Sequence, residues 1–169
     1  LLNRILNFSH KTSYMKSLLM ALIAVSFVLP TCAQQNRKSP HETVSEGNHS
    51  ITYGRPSKKG REIFGALEAY GKVWRAGADE ATEITFKADG SLGGQPVKAG
   101  TYTLFVIPTQ TEWTIILNSQ LKQWGAYEYD KHKSKDVLQV KVPVKNLDAV
   151  VEMFTIRFSG GQMIMEWDK

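Results

Sequence analysis

Short runs of alternating apolar and polar residues recur through most of this chain, and that period of two constrains the fold more than any other feature. In DVLQVKVPV, Leu138, Val140, Val142 and Val144 fall on one face, with Gln139 and Lys141 on the other. In TYTLFVI, Tyr102, Leu104 and Val106 alternate with Thr103, Phe105 and Ile107, so both faces suit burial. ITYGR, ATEITFK, EWTIILN, FTIRF and QMIMEW repeat the pattern, and turn signals such as Asp89-Gly90, Gly93-Gly94 and Gly160-Gly161 separate the runs. Seven to nine short strands joined this way predict an all-β, mostly antiparallel fold, either a β-sandwich or a closed barrel. Pro143 has no N–H for a ladder and marks an edge strand or a bulge.

One segment departs from this rhythm. In residues 60–73 (GREIFGALEAYGKV), Ile63, Phe64, Leu67 and Tyr70 sit at helical spacing between Gly60 and Gly71. Gly65 interrupts them and costs about 1 kcal/mol relative to alanine in a helix. A short helical or irregular excursion is expected, packed down by its apolar residues. The whole stretch from Tyr53 to Thr82 is then a long, mostly non-strand connection, and such connections in a compact sandwich are often functional or else strained and disordered.

The front of the chain reads as a targeting segment. Lys16 precedes a 12-residue apolar run, LLMALIAVSFVL, too short for the roughly 20 residues that span a bilayer but suited to a signal-peptide core. Met15 is the expected true start, which makes residues 1–14 an upstream segment and residues 15–33 the signal peptide. Thr31-Cys32-Ala33 fits cleavage after Ala33, while Leu29-Pro30-Thr31-Cys32 resembles a lipobox, with Cys32 as a lipid anchor. Export to the periplasm or medium is the first expectation, and lipid anchoring in the outer membrane the alternative. Polar residues 34–45 read as a flexible tether, and residues 46–169 as a single β-sandwich domain.

Charge and cysteine usage remove several function classes. The net charge of +5 suggests nucleic acid, but Arg4, Lys11 and Lys16 precede Gln34 and leave 18 basic against 16 acidic residues beyond it. That balance predicts no nucleic-acid footprint. Cys32 is the only cysteine, so the domain has no disulfide, thiol nucleophile or zinc–thiolate site. His41, His49 and His132 lack metal-ligand spacing and are expected to be solvated, with no metal and no cofactor. No G-x-S-x-G occurs, and Ser57-Lys58-Lys59-Gly60 lacks the lysine of S-x-x-K.

The polar residues that invite a site lie in VWRAGADEAT, QWGAYEYD and the basic stretch around Arg55 and Arg61. Arg55 continues the face of Ile51 and Tyr53, so its guanidinium needs a ligand or a carboxylate such as Glu62, Glu68 or Glu80. In the first stretch small residues surround Arg75 and Glu80, which either clasp each other across a turn or anchor a ligand. Tyr70, Trp74, Trp124 and Tyr127 are the expected walls of such a cleft.

The ordered succession ITYGRPSKKGREIFG, YGKVWRAGADEAT, AGTYTLFVIP, EWTIILN, QWGAYEYD and FTIRF closely resembles the bacterial domain-of-unknown-function family 2911, over residues 39–169. The resemblance implies an exported protein with no established activity, and Asp79 stands where the family commonly has Asn. Together these readings predict an exported envelope protein that binds a small polar ligand or an envelope partner, not an enzyme. One alternative is a hydrolase- or lyase-like enzyme with Glu80 as general acid or base. The other is a purely structural envelope protein.

Overall fold

A computed structural model describes residues Asn36–Lys169. The leader, the cut after Ala33, Cys32 and the upstream residues lie outside the described residues. Ten strands form in this order: β1 (His41–Glu46), β2 (His49–Gly54), β3 (Glu83–Phe86), β4 (Gly90–Leu92), β5 (Gln95–Val97), β6 (Gly100–Pro108), β7 (Glu112–Asn118), β8 (Asp136–Pro143), β9 (Val151–Ser159) and β10 (Gln162–Asp168). Among the described residues a helical turn, α1 (Tyr129–His132), runs into a 3-10 turn (Lys133–Lys135) ahead of β8.

Six strands make one antiparallel sheet in the order β1-β2-β3-β6-β7-β8, while β9 and β10 pair as a separate hairpin, as do β4 and β5. The result is an all-β sandwich, and the sheets do not close into a barrel. β8 is the sheet edge that Pro143 requires, and the proline is its last residue.

The alternation decides which faces meet. Ile51 and Tyr53 of β2, Leu104 and Val106 of β6, and Ile115 and Leu117 of β7 bury against Phe154 and Ile156 of β9 and Trp167 of β10. Phe105 and Ile116, one residue out of phase, point to the other face, where Ala81 and Tyr129 cover them. β6 and β7 are therefore buried on both sides, as the apolar density of TYTLFVI predicts. The Tyr53 hydroxyl ties the layers by accepting the Ile156 N–H at 2.9 Å.

One expectation needs correction, and one alternative is decided. The tether is shorter than its composition suggests: His41–Glu46, polar and half-exposed, is an edge strand in register with His49–Gly54. The excursion at residues 60–73 takes the irregular form of the two expected and contains no helix. Gly65 takes φ 93° and Gly71 φ 73°, and the Ile63 carbonyl receives the Glu68 N–H at 2.9 Å to close a tight loop. Ile63 is fully buried, but Leu67 and Tyr70 remain exposed, so no apolar helical face exists to dock.

Candidate functional site

Backbone crossing builds the site. After β2 the chain passes directly beneath the loop of residues 74–82. A Cβ on Gly54 would lie 2.2 Å from the Ala78 carbonyl oxygen, and one on Gly77 would lie 2.7 Å from the Gly54 carbonyl. Only glycine permits this approach, and it sets Arg55 beside residues 75–79. The loop is stitched from within. The Trp74 indole N–H donates to the Gly77 carbonyl at 3.2 Å, the Thr82 hydroxyl to the Ala76 carbonyl at 2.7 Å, and the Thr82 amide to the Arg75 carbonyl at 3.1 Å.

A cleft of about 500 Å³ opens at this crossing. Lys38, Arg55, Lys59, Arg61 and Arg75 line it, against two carboxylates, Asp79 and Glu68. The five bases differ in what they already hold. Arg55 spans the layers, with Nη1 2.9 Å from Glu42, Nη2 donating to Thr155 Oγ1 at 3.0 Å and Nε donating to the Phe154 carbonyl. Its carboxylate partner is thus Glu42, which corrects the expected Glu62, Glu68 or Glu80. Arg61 is exposed and fixed by donation to the carbonyls of Lys58 and Ser57. Arg75 differs from both. Its guanidinium makes no hydrogen bond or ion pair among the described residues, and its buried Nε–H has no acceptor.

The acidic pair of the loop has a separate role. Asp79 accepts the backbone amides of Lys38 and Ser39, all at 3.0–3.1 Å. Glu80 binds Arg37, whose Nε and Nη2 both lie 2.8 Å from Oε1. His41 Nε2 sits 3.5 Å from Asp79 and 3.3 Å from Glu80, within ion-pair range but not aligned for a hydrogen bond. Burial pushes both carboxyls up, but the donors outweigh it and hold each below its ordinary value. The expected Arg75–Glu80 clasp is therefore replaced by one between Arg37–Ser39 and Asp79–Glu80. His41, expected in solvent, belongs to that clasp.

The other predicted site residues divide. Trp74 is core, not wall: its ring stacks on Trp167 at 6.0 Å and meets Phe154 edge-on at 4.9 Å. Trp124 pairs its backbone with Glu80, and neither side chain lines the cleft. Tyr70 and Tyr127 are exposed, folded over Gly65 and Gly125 respectively, and also lie outside it. The structure thus brings Arg55, Arg61 and Arg75 together and leaves the aromatic wall unformed.

Glu68 is the cleft residue that sequence reasoning passed over as a site, offering it only as a salt-bridge partner. It is half-buried, and its carboxyl makes no hydrogen bond or ion pair among the described residues. Burial pushes it up to about 7 against the opposing pull of Arg75 and Arg61. No local motif announces it, because the tight turn at Gly65 is what draws it inward.

A larger groove, of about 760 Å³, opens between β8 and β10 but is lined mainly by apolar side chains such as Trp113, Val140, Met163 and Met165. Its Arg157 is already paired with Glu166. The arginine cleft is therefore the better candidate site. Among the described residues no helix is long and apolar enough to cross a membrane.

Residues 35–169 match the family described as protein of unknown function (DUF2911). The chain belongs to this family. The match spans every described residue, so the cleft lies wholly within the DUF2911 domain. No curated protein and no solved structure matches the chain.

Proposed function

We propose that this DUF2911 chain is an exported binding protein whose arginine cleft takes a small anionic ligand. One observation carries the reading: Arg75 presents a guanidinium that the fold does not use, in a cleft where five bases face two carboxylates. Arginine forks match carboxylate, phosphate and sulfate oxygens, and a guanidinium partly out of water binds them more strongly than an exposed one. Arg55 and Arg61 are pinned by their own hydrogen bonds and supply field with little reorganisation. The signal-peptide pattern at residues 15–33 supports export.

Binding is favoured over acid–base catalysis through Glu80, because Arg37 engages that carboxylate and it lies outside the cleft. Thermal-shift titration tests the reading with sulfate, phosphate, citrate and propionate, and with glucose as a neutral control. An anion that binds stabilises the wild type by about 2.7 kcal/mol at a hundredfold excess over its Kd. Arg75→Met, which keeps the stem and removes the fork, is expected to fold and to lose that response. An equal response in the variant, or none in the wild type to any anion, overturns the proposal.

A further inference from the structure

Resting on the anion-binding reading, we infer that the cleft takes up its anion together with a proton, with Glu68 in its acid form donating a hydrogen bond to an oxyanion held by Arg75 and Arg61.

The geometry points there because Glu68 and its two arginines sit near each other without joining. Neither Arg61 nor Arg75 pairs with the Glu68 carboxyl, although both feel its charge. A carboxyl within reach of guanidinium groups ordinarily forms the fork, so its separation here leaves room between the groups for a third one. The remaining charged groups around the cleft do not compete for that place. Asp79 already accepts the amides of Lys38 and Ser39, and Arg55 is held by Glu42, Thr155 and the Phe154 carbonyl. The ammonium groups of Lys38 and Lys59 make no ion pair among the described residues and leave the cleft net positive.

Chemistry then decides between the two states of Glu68. An ionised Glu68 beside a bound oxyanion is a like-charge contact in a partly desolvated place, and it has no proton to give. The acid form removes the repulsion and supplies an O–H donor to a charged acceptor, among the stronger hydrogen bonds available. Burial already pushes the group up to about 7 without a ligand, so little is needed to complete protonation near neutrality. The bound anion raises it further, and by linkage protonation tightens the anion to the same extent.

Isothermal titration of the protein with sulfate, and in parallel with propionate, tests this, because neither probe changes charge above pH of about 6. The two arms also tell a tetrahedral head group from a planar one. The Kd is expected to rise about tenfold per pH unit above a pH of about 7 and to level off below it. Glu68→Gln, a neutral donor of the same shape, is expected to bind with little pH dependence, near the wild-type affinity at low pH. His41→Gln is expected to keep the slope, which excludes the neighbouring imidazole as its source. Heats measured in buffers of different ionisation enthalpy, on wild type alone, give the proton uptake even if a variant fails to fold. Tight binding lost in Arg75→Met but independent of pH in the wild type overturns this inference and leaves the anion cleft standing. Affinity that rises with pH also overturns it, since binding would then release a proton instead of taking one up. No binding of either probe at any pH removes the underlying reading as well.

Discussion

Arg75 and Glu68 each depart from what stability alone would select. A buried N–H without an acceptor costs about 1–3 kcal/mol, and Arg75 keeps one. Glu68 holds a carboxyl whose acid form the fold prefers, up to about 7 against an ordinary 4.5. The sign of the resulting pH dependence follows from the direction of the shift. Below the unfolded value both states are protonated and the preference is fully present. As pH rises toward about 7 the unfolded chain ionises first, so stability falls across that window and is flat above it. Glu68→Gln is expected to remove the slope, matching wild type in acid and exceeding it at alkaline pH. Chemical unfolding of both proteins across that range is the check, and parallel curves sink the idea. The arginines were legible in the sequence because Arg55 and Arg75 stand among residues with faces to assign. Glu68 was not, because its burial comes from a loop closure between Ile63 and Glu68 that no period encodes.

At the scale of elements, the site depends on one close crossing. Gly54 ends β2 where the Ala78 carbonyl passes, 2.2 Å from the place a Cβ would occupy. That oxygen is backbone and cannot swing away as a side-chain tip would. Gly54→Ala is therefore expected to force apart β2 and the loop that carries Arg75, at the roughly 1–3 kcal/mol or more typical of overpacking. Gly60→Ala serves as comparison, because a Cβ there meets nothing and the strain is only that of a positive φ. Thermal unfolding should rank Gly54→Ala well below it, and a reversed order would mean the crossing is soft. The seven strands with clear alternation were readable in the sequence because one buried face imposes a period of two. Three were not. β1 is a polar edge strand, and β4 and β5 are three residues each, too short for any period to register. The helical spacing in residues 60–73 misled for a related reason: of its four apolar residues only Ile63 and Phe64 join the core, Phe64 at 4.9 Å from Trp113, while Leu67 and Tyr70 stay exposed.

For the whole molecule, the clasp at Asp79–Glu80 makes the order of the domain depend on where its chain begins. Arg37, Lys38 and Ser39 lie ahead of β1, and they carry every protein donor that hydrogen-bonds to the Asp79 side chain and the Arg37 fork on Glu80. Cleavage after Ala33, as the leader pattern predicts, keeps all three. A chain begun at Pro40 keeps every strand but strips these donors, leaving the buried Asp79 and the partly exposed Glu80 with His41 as their shared neighbour. Leaving the buried Asp79 acceptor unmet costs about 1–3 kcal/mol, whereas Glu80, a third exposed, can turn to water. Asp79 lines the cleft as well, so the same truncation removes the Lys38 wall and leaves the Asp79 charge uncompensated where an anion is to bind. The expectation is twofold: a lower unfolding midpoint for the Pro40 chain than for one begun at Gln34, and weaker sulfate binding even where both are folded. Asp79→Asn in the shorter chain removes that charge, and it is expected to restore part of the sulfate affinity. Equal midpoints and equal affinity for the two chains would show that residues 37–39 are dispensable ornament on the sandwich. A deficit that the substitution leaves untouched would assign the loss to Lys38 instead of to the exposed carboxylate.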